Sequence, residues 1–146
     1  MTIRPYHPAD WTAVRGIHDL CKPDEMRGSV DLAAIVPLEA DAATLVLFAR
    51  SAIVVAEDGG HVVGFAGTIG SYISWVCVHP GQRRRGVATR LLDHVLEQVP
   101  PPATLNVSKN NEPARRLYER MGFVLDSDFV GKFNGHDVAV LKLRRP

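Results

Sequence analysis

The sequence has little that would mark a secreted, metal-binding, membrane or nucleic-acid-binding protein. Its two cysteines, Cys21 and Cys77, are too few for a disulfide framework and match no metal-ligand spacing, so we expect free thiols and no metal. The formal net charge of +1 gives no overall attraction to nucleic acid or to an anionic membrane. No apolar run is long enough to span a bilayer, and the N-terminus lacks the apolar core of a signal peptide. We therefore expect a cytoplasmic protein with no nucleic-acid or membrane partner.

The chain does have the composition of one soluble globular domain. Hydrophobic residues make up 46% and charged residues 23%, a balance that argues against a disordered chain. A length of 146 residues is common for one domain with a self-sufficient core. No internal repeat occurs, and only the triple proline at residues 100–102 is of low complexity. We expect a single domain over residues 1–146.

The start of the chain has a strand pattern followed by a helix pattern. Residues 2–6 favour a strand, and Asp10 is placed to cap a helix. Pro23 is expected to break the helical pattern. The apolar face of this helix would consist of Trp11, Val14, Ile17 and Leu20.

The next segment combines uncertain helices with a clear hairpin. Residues 31–36 and 42–50 both favour helix, and Pro37 separates them. Residues 52–57 and 62–69 are apolar and β-branched, which favours strands. The turn between these strands is Asp58-Gly59-Gly60, a strong hairpin signal.

Residues 71–107 predict a strand, a helix and a second strand. Residues 71–78 favour a strand, residues 88–99 repeat apolar side chains at helical spacing, and residues 104–107 favour a buried strand. Because a helix connects the two strands, we expect them to lie parallel.

The last segment predicts one more helix and a hairpin. Asn111 is a good N-cap and Gly122 a good C-terminal stop. Residues 123–133 and 136–143 flank Asn134-Gly135, the pair that best supports a type I′ turn. The element order predicts an α/β fold, a central mixed sheet with helices on both faces.

The most informative stretch joins the strand at 71–78 to the following helix and runs from Val78 to Ala88. A helix start offers unpaired backbone N–H groups and the positive end of the helix dipole, so an anion such as pyrophosphate can bind there. Gly86 has no Cβ and allows close approach to the backbone. A solvated basic turn is the alternative interpretation of the three arginines at 83–85.

This turn and the element order resemble the GCN5-related N-acetyltransferase superfamily. The family signature Arg/Gln-x-x-Gly-x-Gly/Ala reads Arg83-Arg84-Arg85-Gly86-Val87-Ala88. A second family block, Asn-x-x-Ala-x-x-Leu-Tyr-x-x-x-Gly-Phe, runs from Asn111 to Phe123 with every fixed position matching. The resemblance implies an N-acetyltransferase that uses acetyl-CoA as co-substrate and acetylates an amine by direct attack.

The resemblance also implies roles for individual residues. The pyrophosphate would bind the backbone of residues 84–88, the pantetheine arm would bind the backbone of the strand before the turn, and Tyr118 would donate a proton to the leaving thiolate. Periodicity alone would place Tyr118 in an apolar helix stripe. The cofactor-binding residues implied in this way are Val76, Val78, Arg83, Arg84, Arg85, Gly86, Val87, Ala88 and Asn111.

The general base is not evident from the sequence. Many relatives carry a glutamate four residues before the position of Val76, and Tyr72 stands there in this chain. A water chain from Ser74 or from backbone carbonyls, or an acceptor of low pKa, could replace that carboxylate. A lone His79 is more often structural than catalytic. Cys77 is expected to point away from Val76 and to be inert.

The acceptor and the biological role stay open at the level of sequence. A modest acidic bias among His18, Asp19, Asp24, Glu25, Asp31 and Glu39 suits a cationic amine, although a solvated helix face explains it equally well. The missing glutamate makes a non-catalytic acyl-CoA-binding or regulatory module the alternative function. Exposed strands in the final hairpin make a homodimer reasonable.

Overall fold

The computed structural model describes residues 1–146 and contains one seven-stranded sheet in the order β1-β2-β3-β4-β5-β7-β6. Only the β4–β5 pair is parallel, as predicted; all the others are antiparallel. The strands are β1 (Thr2–Pro5), β2 (Ala52–Asp58), β3 (His61–Ile69), β4 (Tyr72–Val78), β5 (Ala103–Ser108), β6 (Val124–Phe133) and β7 (His136–Arg145). The helices are α1 (Trp11–Met26), α2 (Ala42–Arg50), α3 (Val87–Gln98) and α4 (Glu112–Arg120).

Helices cover both faces of the sheet, and two hydrophobic clusters result. Leu91 of α3 and Tyr118 of α4 belong to one cluster, whereas Val14 of α1 belongs to the other. Neighbouring residues of β3 divide between them, since Ala66 lies in the first cluster and Phe65 in the second. This is the alternation that a strand buried on both faces requires, and it confirms the predicted α/β arrangement.

Helix α1 differs from the sequence prediction in its length and in its buried face. It continues through Pro23 to Met26, because burial of Cys21 and Met26 offsets the hydrogen bond that a proline removes. Leu20 is 51% exposed, so its predicted place in the core is wrong. His18 is buried instead, since a step of about 100° per residue brings it closer than Leu20 to the centre of the face.

Asp10 occupies the N-cap position of α1 as predicted, but its side chain forms no capping hydrogen bond there. A one-turn 3-10 helix, Pro8–Asp10, leads directly into α1, and His7 Nδ1 caps that turn by accepting from the Ala9 N–H. The Asp10 carboxylate accepts two hydrogen bonds from Arg4, both of 2.9 Å, and one from the His7 N–H. Asp10 therefore ties β1 to the start of α1.

The segment between α1 and α2 contains less regular helix than predicted. Residues 31–36 form only a 3-10 turn, Leu32–Ala34, and a second such turn spans Leu38–Ala40. Val36 precedes Pro37, and a residue before proline is pushed towards extended conformations, which prevents a continuous helix. The predicted helix at Ala42–Arg50 is confirmed.

The sheet ends in the predicted C-terminal hairpin of β6 and β7. Asn134 and Gly135 both adopt positive φ angles, of 47° and 82°, as a type I′ turn requires. β6 is an edge strand and exposes the large apolar residues Val124, Leu125, Phe129 and Val130. No helix of the structure has the length and apolarity needed to cross a membrane.

Candidate active site

The turn between β4 and α3 has an irregular backbone that ends in a left-handed glycine. A 3-10 turn, Pro80–Gln82, comes first, and Gly86 then adopts φ 75° at the N-cap of α3. His79 Nδ1 accepts a hydrogen bond of 3.0 Å from the Gly81 N–H, a role within the turn itself. Val87, 4% exposed, anchors the helix start in the core. We refer to Val78 to Ala88 as the anion turn.

The main chain of the anion turn has free donors. The N–H groups of residues 83–86 form no hydrogen bond with another backbone group or with a side chain, and the first N–H groups of a helix have no partner inside it. A Cβ built on Gly86 would meet no atom within 4 Å, so the space above this residue is open. The turn therefore has the free N–H groups and the open approach that a phosphate group needs.

The arginine side chains of the turn are engaged to different degrees. Arg83 Nη1 lies 2.6 Å from Asp24 Oδ2, and the guanidinium lowers the pKa of that carboxyl. Arg85 donates a hydrogen bond to Gln82. Arg83 therefore joins the anion turn to the last turns of α1, while the N–H groups of residues 83–86 keep no partner within the protein.

β4 and β5 separate beside this turn. Their only paired residues are Tyr72 and Thr104, at the start of both strands. The His79 N–H bonds to the Val63 carbonyl, and hydrogen-bonded pairs alternate along an antiparallel ladder, so the backbone groups of Val76 and Val78 point away from β3. They face the space between the two strands, which we call the β4–β5 gap. β4 and β5 are therefore splayed apart beside the anion turn.

The side chains of β4 divide between the two faces of the sheet beside the gap. Val76 and Val78 pack against the α3–α4 cluster, while Cys77 is 4% exposed in the α1–α2 cluster. The Cys21 thiol donates a hydrogen bond of 3.0 Å to the Val78 carbonyl. A hydrogen bond with the Cys21 thiol, burial and the negative charge of Glu25 raise the pKa of Cys77, which is the expected behaviour of an inert buried thiol.

Tyr118 of α4 lies in the α3–α4 cluster, against which Val76 and Val78 of β4 also pack. Its ring packs edge-on against Phe123 in the α3–α4 cluster, with 5.8 Å between the centroids, and its hydroxyl forms no hydrogen bond within the protein. Burial raises the pKa of Tyr118 well above its usual range, and the negative charge of Glu25 acts in the same direction.

Asn111 holds the start of α4 in place. Its side-chain oxygen accepts from the Ala114 N–H at 3.4 Å, the N-cap role that the sequence predicts. Its amide nitrogen has no partner within the protein and is free to contact a ligand. The structure therefore gives Asn111 a structural role that leaves its second polar atom available.

Glu25 is the residue of this site that sequence reasoning did not single out. Its Oε1 lies 3.8 Å from Sγ of Cys77, which belongs to the α1–α2 cluster. The available signal was its spacing, since residues 18, 21 and 25 share one helical face and the first two are buried. No sequence motif marks that face, so Glu25 was only one member of a general acidic bias.

A family model for the acetyltransferase (GNAT) domain matches residues 49–125, more than half of the chain. The chain belongs to the GNAT acetyltransferase family. The matched region of this GNAT protein runs from the end of α2 to the start of β6 and includes the anion turn, the gap and Tyr118.

Known proteins resemble the GNAT chain in sequence and in fold. Mycothiol acetyltransferase of Acidimicrobium ferrooxidans is 31% identical over 144 residues, which cover 88% of this chain and 44% of that protein. A GCN5-related N-acetyltransferase from Rhodopseudomonas palustris superposes with a TM-score of 0.86 at 22% identity, covering 99% of this chain and 94% of the other. The structure of yncA from Salmonella typhimurium with its cofactor acetyl-CoA superposes with a TM-score of 0.72 at 19% identity. The superposition covers 99% of this chain and 92% of the other. The chain spans less than half the length of the curated relatives it matches.

Proposed function

We propose that this GNAT protein transfers the acetyl group of acetyl-CoA to an amine by direct attack of the amine on the thioester. One arrangement carries the proposal. Free backbone N–H groups at the anion turn adjoin the β4–β5 gap, and Tyr118 lies in the cluster against which the gap residues Val76 and Val78 pack. The similarity to the acetyl-CoA complex of yncA supports the choice of co-substrate.

The residues divide the binding of acetyl-CoA between them. The backbone N–H groups from Arg84 to Ala88 would hold the pyrophosphate, with Arg83 braced against Asp24 beside them. The backbone of Val76 and Val78 would hold the pantetheine arm as an additional strand would be held, and the Asn111 amide would contact the arm from α4.

The chemistry needs one proton to leave the amine and one to reach the sulfur. An alkylammonium has a pKa of about 10.4 and is protonated at neutral pH, so it must lose a proton before its nitrogen can attack the carbonyl carbon. The C–N bond then forms, the C–S bond breaks, and Tyr118 donates a proton to the sulfur. Tyr118 is protonated at neutral pH, as a proton donor must be, and its raised pKa makes it a weaker acid than an ordinary tyrosine.

Two measurements test the proposal. Calorimetric titration should show micromolar binding of acetyl-CoA, and a panel of primary amines should release CoA thiol in the presence of the protein. Folded protein that binds no acetyl-CoA would contradict both the site and the function.

A non-catalytic acyl-CoA-binding module is the second candidate. The observation that favours it is the composition of β4, which carries no carboxylate between Tyr72 and Val78. Tight binding of acetyl-CoA without thiol release from any amine would favour the module over the enzyme.

The proposal places the protein in the cytoplasm and allows it to act as a homodimer. The free thiols of Cys21 and Cys77 support the location, since such thiols persist in reducing compartments. The apolar residues exposed along β6 support the dimer. Sedimentation analysis would show whether the protein is dimeric at micromolar concentration.

A further inference from the structure

The side chain of Lys22 shows how this fold holds an ammonium group. Its Nζ lies 3.4 Å from Glu25 Oε2 and 5.1 Å from the centroid of the Phe133 ring. A carboxylate on one side and an aromatic face on the other are the two partners that bind an alkylammonium most favourably in proteins. We call Glu25 and Phe133 the ammonium site.

The ammonium site differs from an ordinary surface ion pair on a helix. Asp24 and Arg27 form such a pair at the same spacing of three residues, but their side chains are 44% and 64% exposed and face no aromatic ring. Glu25 and Lys22 are only 32% and 20% exposed. Partial burial reduces the screening of the Lys22–Glu25 pair by solvent.

The site is built by segments that are far apart in the sequence. Phe133 ends β6 at the tip of the C-terminal hairpin, and the Asn134 amide next to it donates to the Ala34 carbonyl at 2.7 Å. The segment after α1 is fixed in turn to the end of β5, since the hydroxyls of Ser29 and Ser108 are 2.6 Å apart. These contacts hold the Phe133 ring against α1.

Glu25 joins the ammonium site to the reacting centre. Its other carboxylate oxygen, Oε1, lies 3.8 Å from Cys77 Sγ on β4. The negative charge of Glu25 also contributes to the raised pKa of Tyr118. Glu25 is also the only carboxylate among the groups that shift the pKa of Tyr118. An ammonium bound at Glu25 is therefore next to the β4–β5 gap, where the thioester is expected.

We propose that Glu25 and Phe133 bind the ammonium group of the acceptor, that Lys22 occupies the site when no acceptor is present, and that Glu25 takes the proton the acceptor must lose. The inference rests on the proposed acetyltransferase function and assigns it a substrate class, primary alkylamines that are cationic at neutral pH.

In the proposed step the acceptor nitrogen loses two protons, one to Glu25 and one to Tyr118. The acceptor ammonium gives one proton to Glu25, and the neutral nitrogen forms the C–N bond to the acetyl carbonyl carbon. The C–S bond breaks with its electron pair on sulfur. Tyr118 protonates the sulfur and regains a proton from the nitrogen as the amide forms. Glu25 then releases its proton to solvent, which its partial exposure allows.

A binding experiment tests the ammonium site without any turnover. 1,4-Diaminobutane is titrated into the CoA complex of the wild type, of Glu25→Gln and of Glu97→Gln, a control that removes an exposed carboxylate from α3 on the opposite face. We expect Glu25→Gln to weaken binding about tenfold or more, as for other charge pairs, and Glu97→Gln to change it less than about twofold. Lys22→Met should tighten binding about threefold, because the resident ammonium is removed. Equal or undetectable affinity in the wild type and Glu25→Gln would overturn the inference.

A rate comparison separates this inference from the proposed function. Butylamine is cationic at neutral pH, whereas 2,2,2-trifluoroethylamine is largely neutral and needs no proton acceptor. Glu25→Gln should lower kcat/KM for butylamine about a hundredfold and for trifluoroethylamine by less than about threefold. An equal loss with both amines would overturn the role of Glu25 while leaving the acetyltransferase function standing. Diamine binding that depends on Glu25, without turnover of any amine by the wild type, would overturn the proposed function and the proton-transfer role together, leaving only the ammonium site.

Discussion

On the α3–α4 side of the sheet the candidate site consists mainly of main-chain groups, whereas on the α1–α2 side it consists of side chains. The anion turn and the β4–β5 gap offer backbone N–H and carbonyl groups, and we propose that these groups, more than the arginine side chains, bind the cofactor. The ammonium site depends on Glu25 and Phe133, which come from distant parts of the chain. This difference explains why the anion turn has a sequence signature and the ammonium site has none.

Tyr118→Phe is expected to produce the largest effect, because it removes the proposed proton donor to the leaving thiolate. Loss of a general acid lowers kcat by about 10²- to 10⁴-fold, whereas affinity for acetyl-CoA should stay within about threefold. The melting temperature should hardly change, since the hydroxyl forms no hydrogen bond within the protein. Tyr6→Phe in the α1–α2 cluster is the control. An unchanged kcat would remove Tyr118 from the acid role.

Gly86→Ala tests whether the main chain binds the cofactor. The added methyl group would enter the open space above the anion turn and block hydrogen bonds to an anion, each about 1.5–3 kcal/mol, so acetyl-CoA binding should weaken about tenfold to a hundredfold. Gly59→Ala is the matched control, because Gly59 also has a positive φ and an unobstructed Cβ position. Calorimetry on both variants gives the answer. Equal affinities would mean that the backbone of the turn does not hold the cofactor.

Arg83→Ala tests how much a side chain of the anion turn contributes to the affinity for acetyl-CoA. The Arg83–Asp24 pair is 41% and 44% exposed, and exposed pairs contribute about 0.2–1 kcal/mol, so acetyl-CoA affinity should fall by no more than about fivefold. The loss should shrink further at high salt. A loss larger than that of Gly86→Ala would reverse the assigned importance of backbone and side chains.

Cys77→Ala should have the smallest effect on the reaction. Direct attack uses no thiol nucleophile, and the raised pKa of Cys77 leaves it protonated, so kcat should stay within about threefold of the wild type. The free energy of unfolding should fall by about 1 kcal/mol, because a small buried group is lost. Mass spectrometry of acetyl-CoA-treated wild type provides the second readout, and an acetyl group on Cys77 would contradict direct attack.

Most of the sheet was predictable from the sequence because its signals are local. The turn at Asn134-Gly135, the helix start at Gly86 and the apolar alternation of the strands each depend on a few neighbouring residues. The errors arose where tertiary contacts decide the outcome. Helix α1 passes Pro23 because burial of Cys21 and Met26 outweighs a local penalty, and the Asp10 side chain binds Arg4 of β1 instead of forming a capping hydrogen bond.

The same distinction between local signals and tertiary contacts applies to the candidate site. Gly86 could be placed at a helix start from local signals, and Val76 and Val78 from the family resemblance that the neighbouring motif carries. Glu25 could not be placed, because its position depends on how α1 packs on β4 and on where the C-terminal hairpin ends. Such juxtapositions leave no periodic or motif signal in one sequence.

The central claim is that main-chain groups of the anion turn and of the β4–β5 gap hold acetyl-CoA. Its most direct test is a titration of the ¹⁵N-labelled protein with CoA, followed by amide NMR shifts. We expect the largest shifts at the amides of residues 84–88 and at those of Val76 and Val78. The amide of Gly59 in the β2–β3 turn should not shift. Shifts that leave residues 84–88 unchanged and appear elsewhere would contradict the claim.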